Sequence, residues 1–487
     1  MNILYAASEV AEFAKSGGLA DVASALPKAL KKLKHNIKVV MPRYYKIDKS
    51  KLTSLGEMGV AMGIWGEFWC EVLTCKMGQV DIYFIDYERY FGRGDLYTDE
   101  HGYSYGDNDE RFVFFSKAAF ELVKKLNFKV DIIHANDWHT AIMPLMLESV
   151  YRYEPLLADA ASVLTIHNMQ HQGKFSKHII DAAEVGWESF TSDNLEEFGG
   201  VNFLKSGIMR SDALNTVSPK YAKEICTPEF GWGLDGYLRS RELLFGILNG
   251  VDYDEWSPRK DKFLVKNYTP EDMSGKKGCK KDLQRIFNLL EDENVALIGF
   301  VGRFAKQKGL ELLAGAIWEI LRLHVQFVIL GSGERWAEGF FNDVANRYPQ
   351  KVSTYIGYNN EIAHKIEAGC DMFLMPSMFE PCGLNQIYSL KYGTLPIVRA
   401  VGGLEDTINN LDNGVSKPNG FKFYEPSSKA LADTVKWAVD IYYNDKSTFE
   451  SMRQNGMSEV FSWDKSAKEY EALYKIAKLK KELKDDR

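Results

Sequence analysis

Short apolar segments alternate with amphipathic segments of helical spacing along nearly the whole chain, and the alternation starts again near residue 295. The first apolar segment, residues 3–7, leads through a glycine-containing loop into a helical repeat that begins with Leu19, Val22 and Leu26. Residues 295–301 open the second series in the same way. Strands that alternate with helices form parallel sheets that the helices cover. The sequence therefore predicts an α/β fold with two domains, each built on a parallel sheet.

Two segments interrupt the alternation. Residues 68–73 and 80–85 flank a Gly78-Gln79 turn, which predicts an antiparallel hairpin inserted at about residues 59–91. The charged stretch 258–294 is predicted to supply the leading helices of the second domain. Further buried strands are expected at residues 132–133, 163–166 and 247–248. The predicted division is an N-terminal domain of residues 1–248, a C-terminal domain of residues 249–464 and a terminal helix of residues 465–487. The inner face of that helix is predicted to carry Tyr470, Leu473, Tyr474 and Ala477.

Charge and composition exclude several functions. The formal net charge is −7 without a long basic run, which argues against a nucleic-acid partner. No apolar stretch approaches the roughly 18 to 20 residues that cross a bilayer, so no membrane association is expected. The first residues lack the basic segment of a signal peptide, and the six cysteines include no C-x-x-C pair. We therefore expect a cytoplasmic protein; its oligomeric state is left open.

One short motif occurs twice. Residues 17–22, Gly-Gly-Leu-Ala-Asp-Val, are echoed by residues 402–407, Gly-Gly-Leu-Glu-Asp-Thr. Each copy places two glycines where a loop enters a helix, and such a place offers backbone N–H groups and the positive end of the helix dipole to an anion. Two copies predict an anionic ligand held between two half-molecules. The alternative is a pair of unrelated tight turns.

Cations accompany these glycines. Lys15 precedes Gly17 and Gly18, and Arg303 and Lys308 follow the first strand of the second series. Arg303 can grip a phosphate through two N–H groups, and Lys308 adds a compact charge. Fixed cations stabilise the charge that develops on a departing diphosphate. The alternative interpretation is a pair of ordinary, solvated loops.

Polar residues at strand ends point to a sugar. Glu380 follows the strand-like segment 371–376, and its carboxylate can accept two hydrogen bonds from hydroxyl groups; a helix cap or a surface acid is the alternative. The histidine clusters 134–139 and 167–171 invite a metal interpretation, but they offer no obvious third ligand, so no metal is expected. The Asp137 carboxylate, the neighbouring amide and the Trp138 indole are instead suited to bind carbohydrate.

These motifs, in this order, resemble those of the family 5 glycosyltransferases, which comprise bacterial glycogen synthases and plant starch synthases, and the resemblance covers essentially the whole chain. The most specific matching segments are residues 15–21, 134–139, 165–168, 249–252, 380–384 and 392–394. The resemblance implies the GT-B fold, in which two Rossmann-like domains with parallel sheets face a central cleft. It also implies transfer of glucose from ADP-glucose to the non-reducing end of an α-1,4-glucan with retention of configuration. The expected partners are a nucleotide-sugar donor and an α-glucan acceptor, without a cofactor beyond the ADP-glucose co-substrate.

The resemblance also implies roles for single residues. Arg303 and Lys308 would neutralise the diphosphate, Glu380 would face the donor sugar, and His167 would present a polar group to the C6 hydroxyl of the donor glucose. These four residues are the expected catalytic residues. Tyr358 would stack on the base of the donor. The expected donor-binding residues are Lys15, Gly17, Gly18, Asp21, Asn168, Asn249, Tyr358, Cys382, Gly383, Leu384 and Gly403. The expected acceptor-binding residues are Glu9, Asp137 and Trp138.

Two positions depart from what we expect of related retaining enzymes. Tyr388 stands where many GT-B enzymes have a second Glu, as is usual in this subgroup, and Asn385 stands where Thr is expected. Asn385 leaves open whether ADP-glucose or UDP-glucose is the donor.

The mechanism and the function class have alternatives as well. The mechanism is either a same-face displacement or a double displacement with Asp137 or Glu380 as nucleophile. One alternative is a nicotinamide oxidoreductase, but the sequence contains no G-x-G-x-x-G motif that opens a helix. Another is a glucan phosphorylase, which would need lysine-bound pyridoxal phosphate. A non-catalytic glucan-binding protein would not account for Lys15, Arg303 and Lys308.

Overall fold

The computed structural model describes residues 1–412, 414 and 416–485, without the side chain of residue 485. The chain forms two compact units. The first comprises Met1–Gly250 together with the C-terminal segment that begins at Trp463, and the second comprises Val251–Ser462. The chain thus leaves the first unit, builds the second and returns to complete the first.

Nine strands in the described part of the first unit form one sheet, in the order β12-β11-β7-β6-β1-β2-β5-β4-β3. Pairing is parallel from β12 to β5 and antiparallel from β5 to β3. The central strands are buried along nearly their whole length because helices cover both faces of a parallel sheet. The strands of this unit, including the short strands β8, β9 and β10 of a separate sheet, are β1 Asn2–Ala6, β2 Asn36–Pro42, β3 Thr53–Ala61, β4 Glu67–Met77, β5 Val80–Asp86, β6 Ile132–Asn136, β7 Ala161–Ile166, β8 Lys174–Phe175, β9 Glu196–Glu197, β10 Gly200–Asn202, β11 Ala213–Thr216 and β12 Leu244–Gly246.

The predicted hairpin is confirmed, with Met77 paired to Val80 across the Gly78-Gln79 turn. It is an extension of the main sheet, because β5 also pairs in parallel with β2. The prediction of a strand at residues 247–248 is wrong, because β12 ends at Gly246 in the structure.

Helices cover this sheet, and among the described residues none is long and apolar enough to cross a membrane. The helices of the first unit are α1 Gly18–Lys32, α2 Glu88–Phe91, α3 Asn108–Lys125, α4 Asp137–Thr140, α5 Met143–Glu148, α6 Ile179–Ala183, α7 Phe203–Arg210, α8 Pro219–Glu224, α9 Asp235–Arg239 and, at the end of the chain, α18 Trp463–Asp485. Short 3-10 turns lie at Lys49–Lys51, Gly63–Trp65 and Trp187–Ser189.

The helix α18 packs on the first sheet through the residues predicted for its inner face, all of which are buried. Residues 486 and 487 of the predicted helix lie outside the described residues. A buried chain of hydrogen bonds anchors the helix. The Tyr474 hydroxyl bonds to His134 Nδ1 (2.7 Å), His134 Nε2 bonds to Thr165 Oγ1 (2.6 Å), and Asn215 Nδ2 donates to the Tyr470 hydroxyl (3.0 Å). Because Thr165 donates its own proton to Asn215 Oδ1, it must accept from His134, which leaves Nδ1 to accept from Tyr474.

Six described strands of the second unit form an entirely parallel sheet in the order β15-β14-β13-β16-β17-β18. The order reverses direction between β13 and β16, and ligands of open α/β sheets bind beyond the carboxyl ends of strands at such a switch point. The strands are β13 Ala296–Val301, β14 Val325–Gly331, β15 Val352–Ile356, β16 Met372–Met375, β17 Leu395–Arg399 and β18 Phe421–Phe423. The helices are α10 Ser274–Ile286, α11 Leu310–Ile320, α12 Arg335–Arg347, α13 Asn360–Gly369, α14 Asn385–Lys391, α15 Gly402–Thr407, α16 Ser428–Asn444 and α17 Lys446–Ser458, with a 3-10 turn at Lys306–Lys308.

The charged stretch 258–294 contains a single helix, α10, where leading helices were expected. Two of its lysines turn inward. The Lys276 ammonium donates to the carbonyls of Ala368 and Tyr392, and the Lys280 ammonium pairs with the buried Asp371 carboxylate at 2.7 Å. Burial lowers the pKa of Lys276 to about 7. These lysines lie in the interior of the unit, where backbone carbonyls that the sequence pattern does not reveal serve as hydrogen-bond acceptors.

Candidate functional site

In the first unit, the residues predicted from sequence meet at the carboxyl ends of three adjacent strands. The strand β1 leads to the Lys15–Gly18 loop, β6 ends directly before Asp137, and β7 ends directly before His167. Parallel strands in the order β7-β6-β1 place these ends along one edge of the sheet, where open α/β sheets bind ligands.

The Lys15–Gly18 loop presents an open helix start. Gly17 caps α1 without a side-chain hydrogen bond, and a Cβ atom built on Gly18 would meet no atom within 4 Å. Lys15 is about half exposed, and its ammonium pairs with the Asp21 carboxylate at 2.7 Å. The loop can therefore receive an anion, while Asp21 holds the Lys15 side chain at the helix start.

Glu9 lies behind this loop. Its carboxylate is buried and accepts hydrogen bonds from the backbone N–H and, at 3.2 Å, from the hydroxyl of Ser16. Burial raises the pKa of Glu9 to about 7. In this structure Glu9 therefore supports the loop, and its carboxylate is already engaged where contact with the acceptor was expected.

Asp137 and His167 are brought together. Asp137 has a left-handed backbone (φ +52°), and its carboxylate accepts from the backbone N–H of His167 at 2.6 Å and of Asn168 at 3.4 Å. Burial raises the pKa of Asp137 to about 7 and lowers that of His167 to about 3, so the imidazole is neutral.

The tautomer of His167 follows from Asn136. The Asn136 amide group donates from Nδ2 to the Ala6 carbonyl at 3.0 Å, so its Oδ1 faces His167 Nε2 at 3.0 Å. An amide oxygen only accepts, and His167 Nε2 must therefore carry the proton. Nδ1 of His167 is left as a hydrogen-bond acceptor, suited to a sugar hydroxyl group.

Trp138, which the sequence analysis expected to bind carbohydrate, presents little of its surface to solvent. Its indole is only 8% exposed and packs against Phe112, Phe175 and the ring of His139. Gly173 (φ +64°) approaches it so closely that a Cβ atom there would lie 2.6 Å from the indole. Trp138 is therefore a core residue in this structure. The described residues include no group of three or more His, Cys, Asp or Glu that could hold a metal ion.

In the second unit, Arg303, Lys308 and Glu380 gather at the switch point between β13 and β16. The Lys308 ammonium lies 2.7 Å from Glu380 Oε2, which also accepts from the Ser377 hydroxyl at 2.9 Å. Arg303 is exposed, and its guanidinium has no hydrogen-bond or ion-pair partner among the residues that the structure describes. The Glu380 side chain is buried. Among the described residues, none forms a hydrogen bond or ion pair with its Oε1.

Glycines allow the two loops of this cluster to pack. A Cβ atom on Gly309 (φ +69°) would lie 1.9 Å from the Pro376 carbonyl oxygen, and one on Gly403 would lie 2.0 Å from the Cys382 carbonyl oxygen. The N–H of Gly403 donates to the carbonyls of Glu380 (3.1 Å) and Pro381 (3.2 Å). The expectation of a free N–H at the second Gly-Gly pair is therefore wrong for Gly403, because the Glu380 loop already occupies it.

The remaining predicted residues fall into two groups. Tyr358 is 75% exposed, and its ring is accessible for stacking. Asn249 is buried, and within the described residues its Oδ1 has no hydrogen-bond partner. In contrast, Asn385 donates from Nδ2 to the Val301 carbonyl at 3.0 Å, and Tyr388 stacks on Trp256 with 3.9 Å between ring centroids. Asn385 and Tyr388 thus have structural contacts of their own.

Sequence reasoning gave no role to Ser16 and Gln386, although both contact the predicted loops. Ser16 binds Glu9, and Gln386 binds the backbone of the Glu380 loop. Only their immediate proximity to Gly17 and Gly383 in the sequence could have indicated them.

Known proteins resemble the chain over its whole length. Residues 2–240 match the family model described as the starch synthase catalytic domain, and residues 282–457 match the model of glycosyl transferases group 1. Glycogen synthase 1 of Geobacter sulfurreducens is 52% identical over 480 residues, which are 97% of this chain and 96% of that protein. A glycogen synthase of Anaeromyxobacter sp. is 45% identical over 477 residues, covering 98% of this chain and 99% of the relative. The catalytic domain of starch synthase IV from Arabidopsis thaliana, solved with bound ADP and acarbose, superposes with a TM-score of 0.90 at 30% identity over 98% of this chain and 99% of that one.

Proposed function

This chain belongs to the glycosyltransferase family of the bacterial glycogen synthases and starch synthases, and from that premise we propose that it is a glycogen synthase. It transfers glucose from ADP-glucose to the non-reducing end of an α-1,4-glucan and retains the configuration of the anomeric carbon. Its fold is GT-B, as the sequence analysis expected.

The arrangement of Arg303, Lys308 and Glu380 at the switch point of the second sheet carries this proposal. Lys308 pairs with the buried Glu380 carboxylate where α/β sheets bind ligands, and Arg303 follows the end of β13 at the same edge of the sheet. Lys308 has three N–H groups, so it can keep its bond to Glu380 while it contacts a phosphate. Glu380 Oε1 can accept from hydroxyl groups of the donor sugar. A diphosphate and a sugar are the two parts that this set of groups would recognise.

The remaining donor contacts are proposed on the same grounds. The exposed Tyr358 ring would stack on the base, and the open loop of Lys15, Gly17 and Gly18 would contribute a cation and N–H groups to the donor. His167 Nδ1 would accept from a hydroxyl group of the donor glucose. The starch synthase IV structure contains ADP and acarbose, which supports a nucleoside diphosphate and an oligosaccharide as ligands of this chain as well.

We propose a same-face displacement as the mechanism. The 4-hydroxyl oxygen of the acceptor bonds to C1 of the donor glucose, the bond from C1 to the phosphate oxygen breaks, and the departing phosphate takes the hydroxyl proton. Arg303 and Lys308 stabilise the negative charge that develops on the diphosphate. Asp137 accepts from two backbone N–H groups, which suits a structural carboxylate better than a nucleophile. A glucosyl adduct trapped on Asp137 or Glu380 would contradict this mechanism.

No cofactor or metal is needed for these steps. We also propose the cytoplasm as the location, which is supported by the six cysteines because the structure joins none of these described residues in a disulfide. The decisive experiment supplies the purified protein with a glycogen primer and either ADP-glucose or UDP-glucose, with and without a chelator. We expect release of ADP and chain extension from ADP-glucose, undiminished by the chelator. Glucan binding without nucleoside diphosphate release would instead indicate a non-catalytic glucan-binding protein.

Single substitutions test the cation cluster. We expect Arg303→Ala and Lys308→Ala each to lower kcat about 100- to 1,000-fold, as the loss of a group that stabilises a developing anion does. Lys306→Ala is the matched control, because Lys306 is an exposed cation of the same loop; it should change kcat less than about threefold, since a surface charge contributes little. Equal effects at all three positions would contradict the assignment.

A further inference from the structure

The side chain of Gln386 lies behind the Glu380 loop, completely buried on α14. Its Nε2 donates to the carbonyl oxygens of Cys382 and Gly383, both at 3.0 Å. The Thr407 hydroxyl oxygen lies further from Nε2, at 3.2 Å, and gives its own proton to the Gly403 carbonyl. One amide group thus binds two consecutive carbonyls of a loop that the proposed function places at the donor.

The carbonyls of this loop all have partners on the protein side. Gly403 N–H binds those of Glu380 and Pro381, and Gln386 binds those of Cys382 and Gly383. In a trans peptide the C=O and the following N–H point in opposite directions. The N–H groups of Gly383 and Leu384 therefore point away from Gln386. Within the part of the chain that the structure describes, neither N–H donates a hydrogen bond.

We propose that Gln386 is a positioning residue for the reaction, which orients the N–H groups of Gly383 and Leu384 toward the phosphate oxygens of the nucleotide sugar. Gln386 does not touch the ligand. It fixes two peptide planes from the protein side, so that two donors are in place before the diphosphate arrives. The inference rests on the proposed function and assigns part of its diphosphate recognition to a buried amide group.

Gln386→Met tests this role because it removes both N–H donors and keeps the length of the side chain. Loss of a hydrogen bond that supports a metal ligand typically weakens function about 10- to 100-fold, and we expect an effect of similar size for the support of two peptide N–H groups. We expect a loss of that size in the affinity for ADP, measured by titration calorimetry, and in kcat/KM for ADP-glucose, while KM for the glucan primer stays within about twofold. If Gln386 had a purely structural role, Gln386→Met would lower the melting temperature and weaken the binding of both substrates to the same extent.

Gln386→Glu provides a second readout when it is assayed at a temperature at which the variant stays folded at each pH. A buried carboxyl group is protonated at higher pH than an exposed one, and its O–H can then donate to one of the two carbonyls. The activity of Gln386→Glu relative to the unaltered protein should therefore rise as the pH falls from about 8 to 6, while the ratio for Gln386→Met stays constant. Unchanged ADP affinity in Gln386→Met, or a flat ratio in Gln386→Glu, would overturn the assignment. If the unaltered protein does not bind ADP, the proposed function and this inference both fail, whereas normal binding with an unaffected variant overturns only the role of Gln386.

Discussion

Asn136 determines which nitrogen of His167 carries a proton, whereas the sequence analysis expected its amide group to contribute to carbohydrate binding. Its side-chain amide is fixed by the Ala6 carbonyl, and its Oδ1 also accepts from the Tyr5 hydroxyl at 3.2 Å. All of these groups are buried, so the geometry is rigid. The neutral ring of His167 therefore presents Nδ1 as an acceptor over the whole pH range above about 5, because its pKa is about 3.

Asn136→Asp should change this pH range. A carboxylate beside the imidazole favours the protonated ring and raises the pKa of His167 toward neutral pH. Once protonated, Nδ1 donates and no longer accepts, so kcat/KM should fall as the pH is lowered from about 8 to 6. The unaltered protein should show no loss from this group in the same range. A pH profile of kcat/KM measures the difference.

The control for this variant is Asn346→Asp, which makes the same chemical change at an exposed position of α12. Its pH profile should match that of the unaltered protein. If Asn136→Asp also matches, the orientation of His167 does not depend on Asn136.

At the scale of single elements, α18 shows which contacts attach the last helix to the first sheet. The Tyr474 hydroxyl is the partner of His134 Nδ1, and both side chains are buried. Removing the hydroxyl with Tyr474→Phe leaves the imidazole nitrogen without a partner, and an unsatisfied buried polar group costs about 1–3 kcal/mol. We expect the free energy of unfolding to fall by that amount, measured by urea denaturation.

Leu479→Ala is the matched control on α18. Leu479 is 58% exposed, so the substitution should change stability by less than about 0.5 kcal/mol. A similar change in both variants would show that the hydroxyl of Tyr474 has no special role.

The sequence pattern predicted the elements better than the contacts between them. Alternating apolar and amphipathic segments correctly indicated two parallel sheets, the hairpin around Gly78 and the inner face of α18. These features follow from the local periodicity of apolar residues, which indicates whether a side chain faces the core.

Other outcomes depend on partners that are distant in sequence. Trp138 is covered by Phe112 and Phe175, and the N–H of Gly403 binds carbonyls more than twenty residues earlier. Lys276 and Lys280 turn inward toward backbone carbonyls and Asp371. Carbonyl groups are common to every residue, so no sequence pattern marks the ones that will accept these bonds.

At the scale of the whole molecule, the first unit is discontinuous in sequence. Its sheet is built from residues before Gly250, but α18 comes after the entire second unit. Removing the chain from Trp463 onward therefore deletes part of the core of the first unit, including the fully buried Tyr470 and Tyr474. The second unit loses none of its own elements.

Hydrogen exchange on the truncated chain tests this division. We expect faster exchange in β7 and β11, which lie on the side of the sheet that α18 anchors through Thr165 and Asn215. Protection of β13 and β14 should remain as in the full chain and serves as the internal control. Equal loss of protection in both sheets would contradict the independence of the two units.

The return of the chain also sets an order of events on the ribosome. The strands of the first unit are synthesised early, yet the helix that closes their core is translated only after roughly two hundred further residues. At about 5–20 residues per second this delay is on the order of 10 to 40 s. At the end of that interval the second unit has all of its strands and helices, whereas the first unit still lacks α18. The half that is made first is therefore the half that is finished last.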